Sequence, residues 1–231
     1  MLPKIDVPIF DVEIPSTGEV LKFRPFLVKE EKILMLANVS GEISGMIGAA
    51  SQVVSNCSLS ELDVSELTLF DLQYVFVRIK AQSVGEMSEF KLTCGKEDCS
   101  TAIDYTINLN EIKVTGLENM PKSFIKVTED VGIQLKWPVA GMYASEQELK
   151  DSEVVALCVD HVVDDEEIIN IREEPFEAVQ EFIETLPLSV YGEIKEFFLK
   201  MPYVDHLIEY KCPTCETENT VQILGHEHFF V

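Results

Sequence analysis

The sequence predicts an α+β fold. Its 231 residues are 46% hydrophobic, enough to build one large core or two small ones, since domains usually run to about 100–200 residues. Short runs with apolar residues at alternate positions occur near the start, in the middle and at the end of the chain. Between them lie longer segments whose apolar residues recur at i, i+3 and i+4, the pattern of a helix packed along one face.

The first element is a hairpin over residues 9–26. Ile9, Val12 and Ile14 lead into the turn Pro15-Ser16-Thr17-Gly18, and Val20, Leu21, Phe23 and Phe26 follow until Pro25 ends the second strand. From Val28 the period becomes helical, with Ile33, Leu34, Leu36 and Ala37 on one face and Glu30 and Glu31 near the positive helix start. A second helix is expected over Ile43 to Asn56, loosened by Gly41, Gly45 and Gly48, and a third over Leu67 to Val84. In the third, Leu69, Leu72, Val75, Phe76 and Ile79 face inward, and Ser65 or Thr68 supplies the cap.

Strands follow. Phe90 and Leu92 lead to Cys94, and beyond Cys99 the residues Ile103, Tyr105, Ile107 and Leu109 alternate as in a hairpin with one buried face. Two more strands are expected at Phe124–Val127 and Ile133–Trp137, joined by a turn with Glu129, Asp130 and Gly132 and stopped by Pro138. Helical period returns from Ser145, with Leu149, Val154, Leu157 and Cys158 in one helix, then Phe176 to Leu186 and Leu188 to Met201, punctuated by Pro175, Pro187 and Pro202. The tail from Leu207 to Val231 reads as strand again.

Charge narrows the function. With 41 acidic against 18 basic residues the formal net charge is −23, so the surface repels phosphate backbones and anionic headgroups, and neither nucleic acid nor membrane is an expected partner. The start, MLPKIDVPIF, has no signal-peptide pattern and no apolar run reaches a membrane span, which reads as a soluble, unexported protein.

In an unexported protein, thiols stay reduced, so the six cysteines are read for spacing rather than as disulfides. Cys57 and Cys158 stand alone in apolar helical contexts. Cys94 and Cys99 flank Gly-Lys-Glu-Asp, and Cys212 and Cys215 flank Pro-Thr, each pair beside an expected strand. Two short-loop knuckles at hairpin turns point four soft thiolates at one tetrahedral ion, so Cys94, Cys99, Cys212 and Cys215 are expected to bind one structural zinc. Four cysteine ligands leave no open position for a catalytic water. The alternatives are two pairs that do not meet, a redox Cys212-Pro-Thr-Cys215 motif, or an iron–sulfur cluster. The redox motif expects a helix start in a βαβ setting, which these flanks do not suggest.

The expected organisation is therefore a hairpin-plus-helix unit at 1–86 and a zinc-ribbon-like β unit at 87–142, completed by the tail at 203–231. A helical segment at 143–202 is inserted between the two knuckles.

Other polar features carry less. His226 and His228 have strand spacing that puts both rings on one face, yet a lone His-x-His lacks further ligands; His161 and His206 stand alone. Asp164-Asp165-Glu166-Glu167 lacks the alternating ligands and glycine turn of a calcium loop and reads as a solvated connection between helices. Phe229 and Phe230 are unusual for a free tail. Arg24 and Lys29 to Lys32 read either as an interface patch or as charges facing water. No GxSxG, P-loop, Rossmann glycine pattern or HExxH occurs, so no catalytic residue is assigned; a metal-dependent or thiol-redox enzyme is the distant alternative.

Several strings resemble one family over nearly the whole chain. They are Pro15-Ser16-Thr17-Gly18, Phe23-Arg24-Pro25-Phe26-Leu27-Val28-Lys29-Glu30-Glu31-Lys32, Phe70-Asp71 with Val75-Phe76, and Ala81-Gln82-Ser83-Val84-Gly85-Glu86. Phe197-Phe198, Met201-Pro202, Cys212-Pro213-x-Cys215 and the closing stretch Gly225 to Phe230 extend the likeness. Together they resemble the T4-type bacteriophage baseplate hub and hub-assembly proteins. The resemblance implies a non-catalytic virion protein of a contractile-tailed phage, made in the host cytoplasm and placed in the tail baseplate. It further implies hub, spike, tail-tube or tape-measure neighbours and several copies in a symmetric assembly. It does not separate a hub subunit from a non-virion assembly factor, and the metal ligands rest on spacing in this chain alone.

Overall fold

The computed structural model describes residues 6–40, 43–143 and 149–224. The N-terminal hairpin forms as expected: β1 (Phe10–Glu13) and β2 (Val20–Phe23) pair antiparallel, Phe10 opposite Phe23 and Glu13 opposite Val20. Three helices follow, α1 (Val28–Ser40), α2 (Ile43–Cys57) and α3 (Leu69–Val84). Phe23, Val53, Val54, Leu72 and Phe76 are the centre of the first core, which β1, β2, α2 and α3 share. Thr68 is the cap of α3, its hydroxyl oxygen accepting from the Asp71 amide at 3.2 Å. On α1 the expected apolar face is only partly right: Ile33 and Leu34 pack on the core, whereas Leu36 points to solvent.

Polar contacts tie the segments of this unit together. The Ser16 amide in the hairpin turn donates to Asp71 Oδ1 at 3.0 Å, and the Thr68 hydroxyl donates to Asp71 Oδ2 at 2.6 Å. Asp71 is buried, so these bonds satisfy a carboxylate that would otherwise be costly to desolvate. The Phe26 amide donates to Ser83 Oγ at 2.9 Å, fixing the chain entering α1 to the last turn of α3.

Gly85 ends α3 at φ 114°, ψ 159°, a backbone region open essentially to glycine, and a Cβ there would touch nothing within 4 Å. Gly85→Ala is therefore expected to cost about 1–3 kcal/mol through backbone strain alone. An unchanged denaturation midpoint for that variant would refute this.

Beyond Gly85, β3 (Met87–Thr93) and β4 (Ala102–Asn108) form an antiparallel hairpin across the first cysteine pair, and a short β5 (Lys113–Thr115) follows. The next sheet departs from the sequence reading. β6 (Phe124–Lys126) and β7 (Val131–Leu135) are the expected hairpin, but after α4 (Asp151–Leu157) the chain enters two further strands, β8 (Val159–Asp164) and β9 (Glu167–Asn170). The sheet order is β6-β7-β8-β9, with Ile133 opposite Val162 and Val162 opposite Ile169. Residues 124–135 thus pair with the segment after 143, not with the cysteine-bearing hairpin. The acidic run Asp164-Asp165-Glu166-Glu167 is the tight turn of this hairpin, with Asp165 at φ 55°, rather than a connection between helices.

Helices α5 (Phe176–Glu184) and α6 (Leu188–Leu199) pack on that sheet. Ile133, Val159, Val162, Ile183, Ile194 and Phe197 form the core there, and the Trp137 ring stacks on Phe197 at 3.9 Å between centroids. The chain then returns through β10 (Tyr203–Lys211) and β11 (Glu218–Leu224), a second hairpin across the other cysteine pair. β10 also pairs with β5, Val204 opposite Val114. The core beneath contains Leu92, Ile107, Ile112, Val204 and Ile208 together with Val77 and Ala81 of α3, so α3 serves two cores. Arg78 fastens the two by donating from Nη2 to Ile112 O at 2.7 Å and from Nη1 to Leu109 O at 3.1 Å.

Candidate metal centre

The two cysteine hairpins meet. Cys94 at the end of β3 and Cys99 before β4 belong to one turn; Cys212 after β10 and Cys215 before β11 belong to the other. All four Sγ atoms lie within 4.8 Å of one another. Cys94 Sγ is 3.7 Å from Cys215 Sγ, 121 residues away, and Cys99 Sγ is 3.7 Å from Cys212 Sγ, 113 residues away.

These distances discriminate among the alternatives. A tetrahedral ion with metal–sulfur bonds of about 2.3 Å sets its sulfurs about 3.8 Å apart, which agrees with both short edges. A disulfide would need about 2.05 Å, and all six cysteines are free thiols. An iron–sulfur core places several metal atoms and bridging sulfides between the ligands and needs a wider spread. Cys212 and Cys215 sit in a strand–turn–strand, not at a helix start, so the thioredoxin-type setting is missing. The donor set and its size fit one tetrahedral ion.

The two knuckles are built alike, and a part of that pattern escapes a reading based on cysteine spacing. Cys99-Ser100-Thr101 and Cys215-Glu216-Thr217 place the residue after the second cysteine at positive φ, 44° for Ser100 and 56° for Glu216. The threonine then closes each turn: Cys94 N donates to Thr101 O at 3.0 Å and Cys212 N to Thr217 O at 2.9 Å. Each threonine hydroxyl also lies beside the second sulfur, Thr101 Oγ1 3.1 Å from Cys99 and Thr217 Oγ1 3.3 Å from Cys215. Such hydroxyls orient the ligands and can donate to thiolates. The repeated Cys-x-Thr was the available signal. Across the knuckles, Gly95 N donates to Asn219 Oδ1 at 2.9 Å, and the Tyr210 hydroxyl donates to Thr93 O at 3.0 Å.

Burial and charge suit a closed site. Cys94 is 4% exposed and Cys212 1%, while Cys99 and Cys215, the second cysteine of each knuckle, are half-buried. Hydrogen bonds from the Thr217 side chain and amide draw the Cys215 thiol down to about 6, and backbone amides of Cys215 and Thr214 lower Cys212. At Cys94 the Lys96 amide acts downward, but desolvation and the three neighbouring thiols prevail and push it up to about 11. Four like groups at this range cannot all ionise unaided; a divalent cation removes the conflict by taking all four as thiolates.

The remaining candidates are placed apart from this centre. His161 Nδ1 lies 2.9 Å from Asp160 Oδ2 and His206 is on β10 facing Ile223, while His226, His228, Phe229 and Phe230 lie outside the described residues. Cys57 and Cys158 are buried core thiols, raised by desolvation to about 11 and about 12. Arg24 is neither a surface patch nor a solvated charge. Its guanidinium clamps the buried Glu30 carboxylate, with Nη2 3.0 Å from Oε1, and donates to Asn56 O at 2.8 Å and Pro25 O at 2.9 Å. Lys29 and Lys32 do remain exposed.

The family model described as T4 bacteriophage base plate protein matches residues 7–231, and the chain belongs to that family. It is thus a phage baseplate component, associated with other baseplate proteins in the virion tail. No curated protein and no solved structure matches it. Among the described residues no helix is long and apolar enough to cross a membrane.

Proposed function

We propose that the protein is a non-catalytic structural subunit of the central baseplate hub of a contractile-tailed phage, present in several copies, with one structural zinc held by Cys94, Cys99, Cys212 and Cys215. The family match across nearly the full chain carries the baseplate part of this reading, and the strings that resemble hub and hub-assembly proteins support the hub part. The clamp built from Arg24 and Glu30 in the longest of those strings supports a role in which shape is held fixed. For the metal, support comes from the 3.7 Å sulfur–sulfur edges and from the preference of soft thiolates for zinc over harder divalent ions. When bound, the ion would supply a cross-link between the β3–β4 and β10–β11 hairpins and no open coordination position.

Neighbours are expected among the hub, spike, tail-tube or tape-measure proteins. Mass spectrometry of purified tails tests the role: the chain should be present in fixed ratio to other baseplate proteins. Its absence from mature particles, with tails still requiring it for assembly, would replace the subunit reading with that of an assembly factor.

A further inference from the structure

The two knuckles repeat an asymmetry as well as a turn. In each, the first cysteine, Cys94 or Cys212, is buried, and the second, Cys99 or Cys215, is half-buried. A metal ion holds cysteine as thiolate, which is also its nucleophilic form, so Cys99 and Cys215 are the two ligands most open to an electrophile in solution.

A threonine lies against each of these two sulfurs and against neither buried one. Thr101 Oγ1 is 3.1 Å from Cys99 Sγ, and Thr217 Oγ1 is 3.3 Å from Cys215 Sγ. Among the described residues, no other side chain outside the cysteine cluster is within hydrogen-bonding reach of either sulfur. The turns do not require these hydroxyls. Each is closed by the threonine carbonyl, which accepts from Cys94 N or Cys212 N and which any residue would supply. A metal-bound thiolate has no proton to give, so in the loaded site the hydroxyl donates and the sulfur accepts. A hydrogen bond to an anion is stronger than one between neutral groups, and it engages electron density that would otherwise attack.

We infer that Thr101 and Thr217 are positioning residues of the metal centre, whose hydroxyls hold and shield the two half-buried thiolates and so prolong retention of the ion in the presence of electrophiles. The inference rests on the reading of the four cysteines as one zinc site and identifies the groups that guard it. Iodoacetamide is a suitable probe. The thiolate sulfur forms a new bond to its methylene carbon, the carbon–iodine bond breaks, and iodide leaves with that electron pair. The thioether that remains is neutral and holds zinc poorly. The hydroxyl must release the sulfur before this attack, so its removal speeds the step.

The test uses the full chain loaded with zinc. Thr101→Val and Thr217→Val keep the branched shape and the carbonyl and lose the hydroxyl; Thr101→Ser and Thr217→Ser keep the hydroxyl. Chelator competition should show about tenfold weaker zinc binding or more in each valine variant, the usual result of removing a group that orients a ligand. Zinc release under excess iodoacetamide, followed with a chromogenic chelator, should be several-fold faster in the valine variants and close to wild type in the serine ones. Mass spectrometry at early times should place the label on Cys99 in Thr101→Val and on Cys215 in Thr217→Val, whereas a merely loosened fold would label all four cysteines alike. Valine variants that retain zinc like the wild type, serine variants that lose it as fast as the valine ones, or label spread evenly over the four sulfurs overturn the inference and leave the zinc site standing. A wild type without zinc overturns the site itself and this inference with it.

Discussion

Cys212→Ser is expected to remove the bound metal and release the β10–β11 hairpin from the β3–β4 hairpin. The native protein should contain about one equivalent of zinc, and less than about half an equivalent would reject the site. Structural zinc in small peptides contributes about 10–16 kcal/mol of apparent binding free energy at neutral pH, whereas whole domains are stable by only about 5–15 kcal/mol. Even a small share of the former is large here, because the ion would connect residues 121 positions apart. Without it, the two hairpins are still joined by the core that Leu92 and Ile107 share with Val204 and Ile208 and by the Tyr105 ring against Tyr210, so the loss should fall on the cysteine-bearing ends, where Gly95 bonds to Asn219 and Tyr210 to Thr93. Hydrogen exchange is expected to rise in 87–108 and 203–224. Trp137, the single tryptophan, reports on a different core through its stack on Phe197, so its fluorescence should change little when metal is chelated. Undiminished zinc in Cys212→Ser, or hairpin exchange that does not respond to chelation, would contradict the cross-link.

The knuckles could be read from the sequence because their signal is local: two cysteines within a few residues, at a turn, beside alternating strands. Their meeting could only be expected, since it depends on how β10 folds back on β5. The hairpin β8–β9 was hidden for a physical reason. Its turn contains no glycine, proline or asparagine, and Asp165 takes the positive φ that a glycine would usually advertise. The run from Val154 to Val163 is apolar enough to continue a helix, and β-branching does not mark the boundary, since Val154 and Val155 lie in α4 while Val159, Val162 and Val163 lie in β8. That omission also separated residues 124–135 from their true sheet partners. β5 is three residues long and has no periodic signal at all. Neither reading of Arg24, an interface patch or a charge facing water, includes a buried ion pair, because its partner six positions on lies across a bend, outside the helical i+3 and i+4 rule.

That ion pair supports the other large effect. Arg24→Ala is expected to destabilise the fold by about 3–5 kcal/mol, the usual result of leaving one buried charge without its partner. Glu30 has no solvent-exposed surface, and its Oε2 also accepts from the Leu27 amide at 2.8 Å, so it cannot turn outward without undoing the start of α1. Burial by itself would push the Glu30 carboxyl up; hydrogen bonds from Arg24, the Leu27 amide and Lys29 outweigh it and hold it below the ordinary carboxylate range. The same hydrogen bond to Glu30 raises Arg24 further. A carboxyl with a depressed folded-state pKa stabilises the fold above its unfolded value, near 4.3, and that contribution is lost as pH falls through the folded value. In Arg24→Ala the desolvation is offset only by the Leu27 amide and Lys29, the carboxyl titrates higher, and protonation relieves the buried charge. The gap between variant and wild type, measured by denaturation, should therefore be widest near neutral pH and narrow in acid. Replacing both partners by apolar residues, Arg24→Met with Glu30→Leu, removes the unpaired charge as well and should cost less than Arg24→Ala alone. A gap that does not depend on pH, or a double variant less stable than the single one, would mean that Arg24 contributes through packing and its bonds to Asn56 and Pro25 rather than through Glu30.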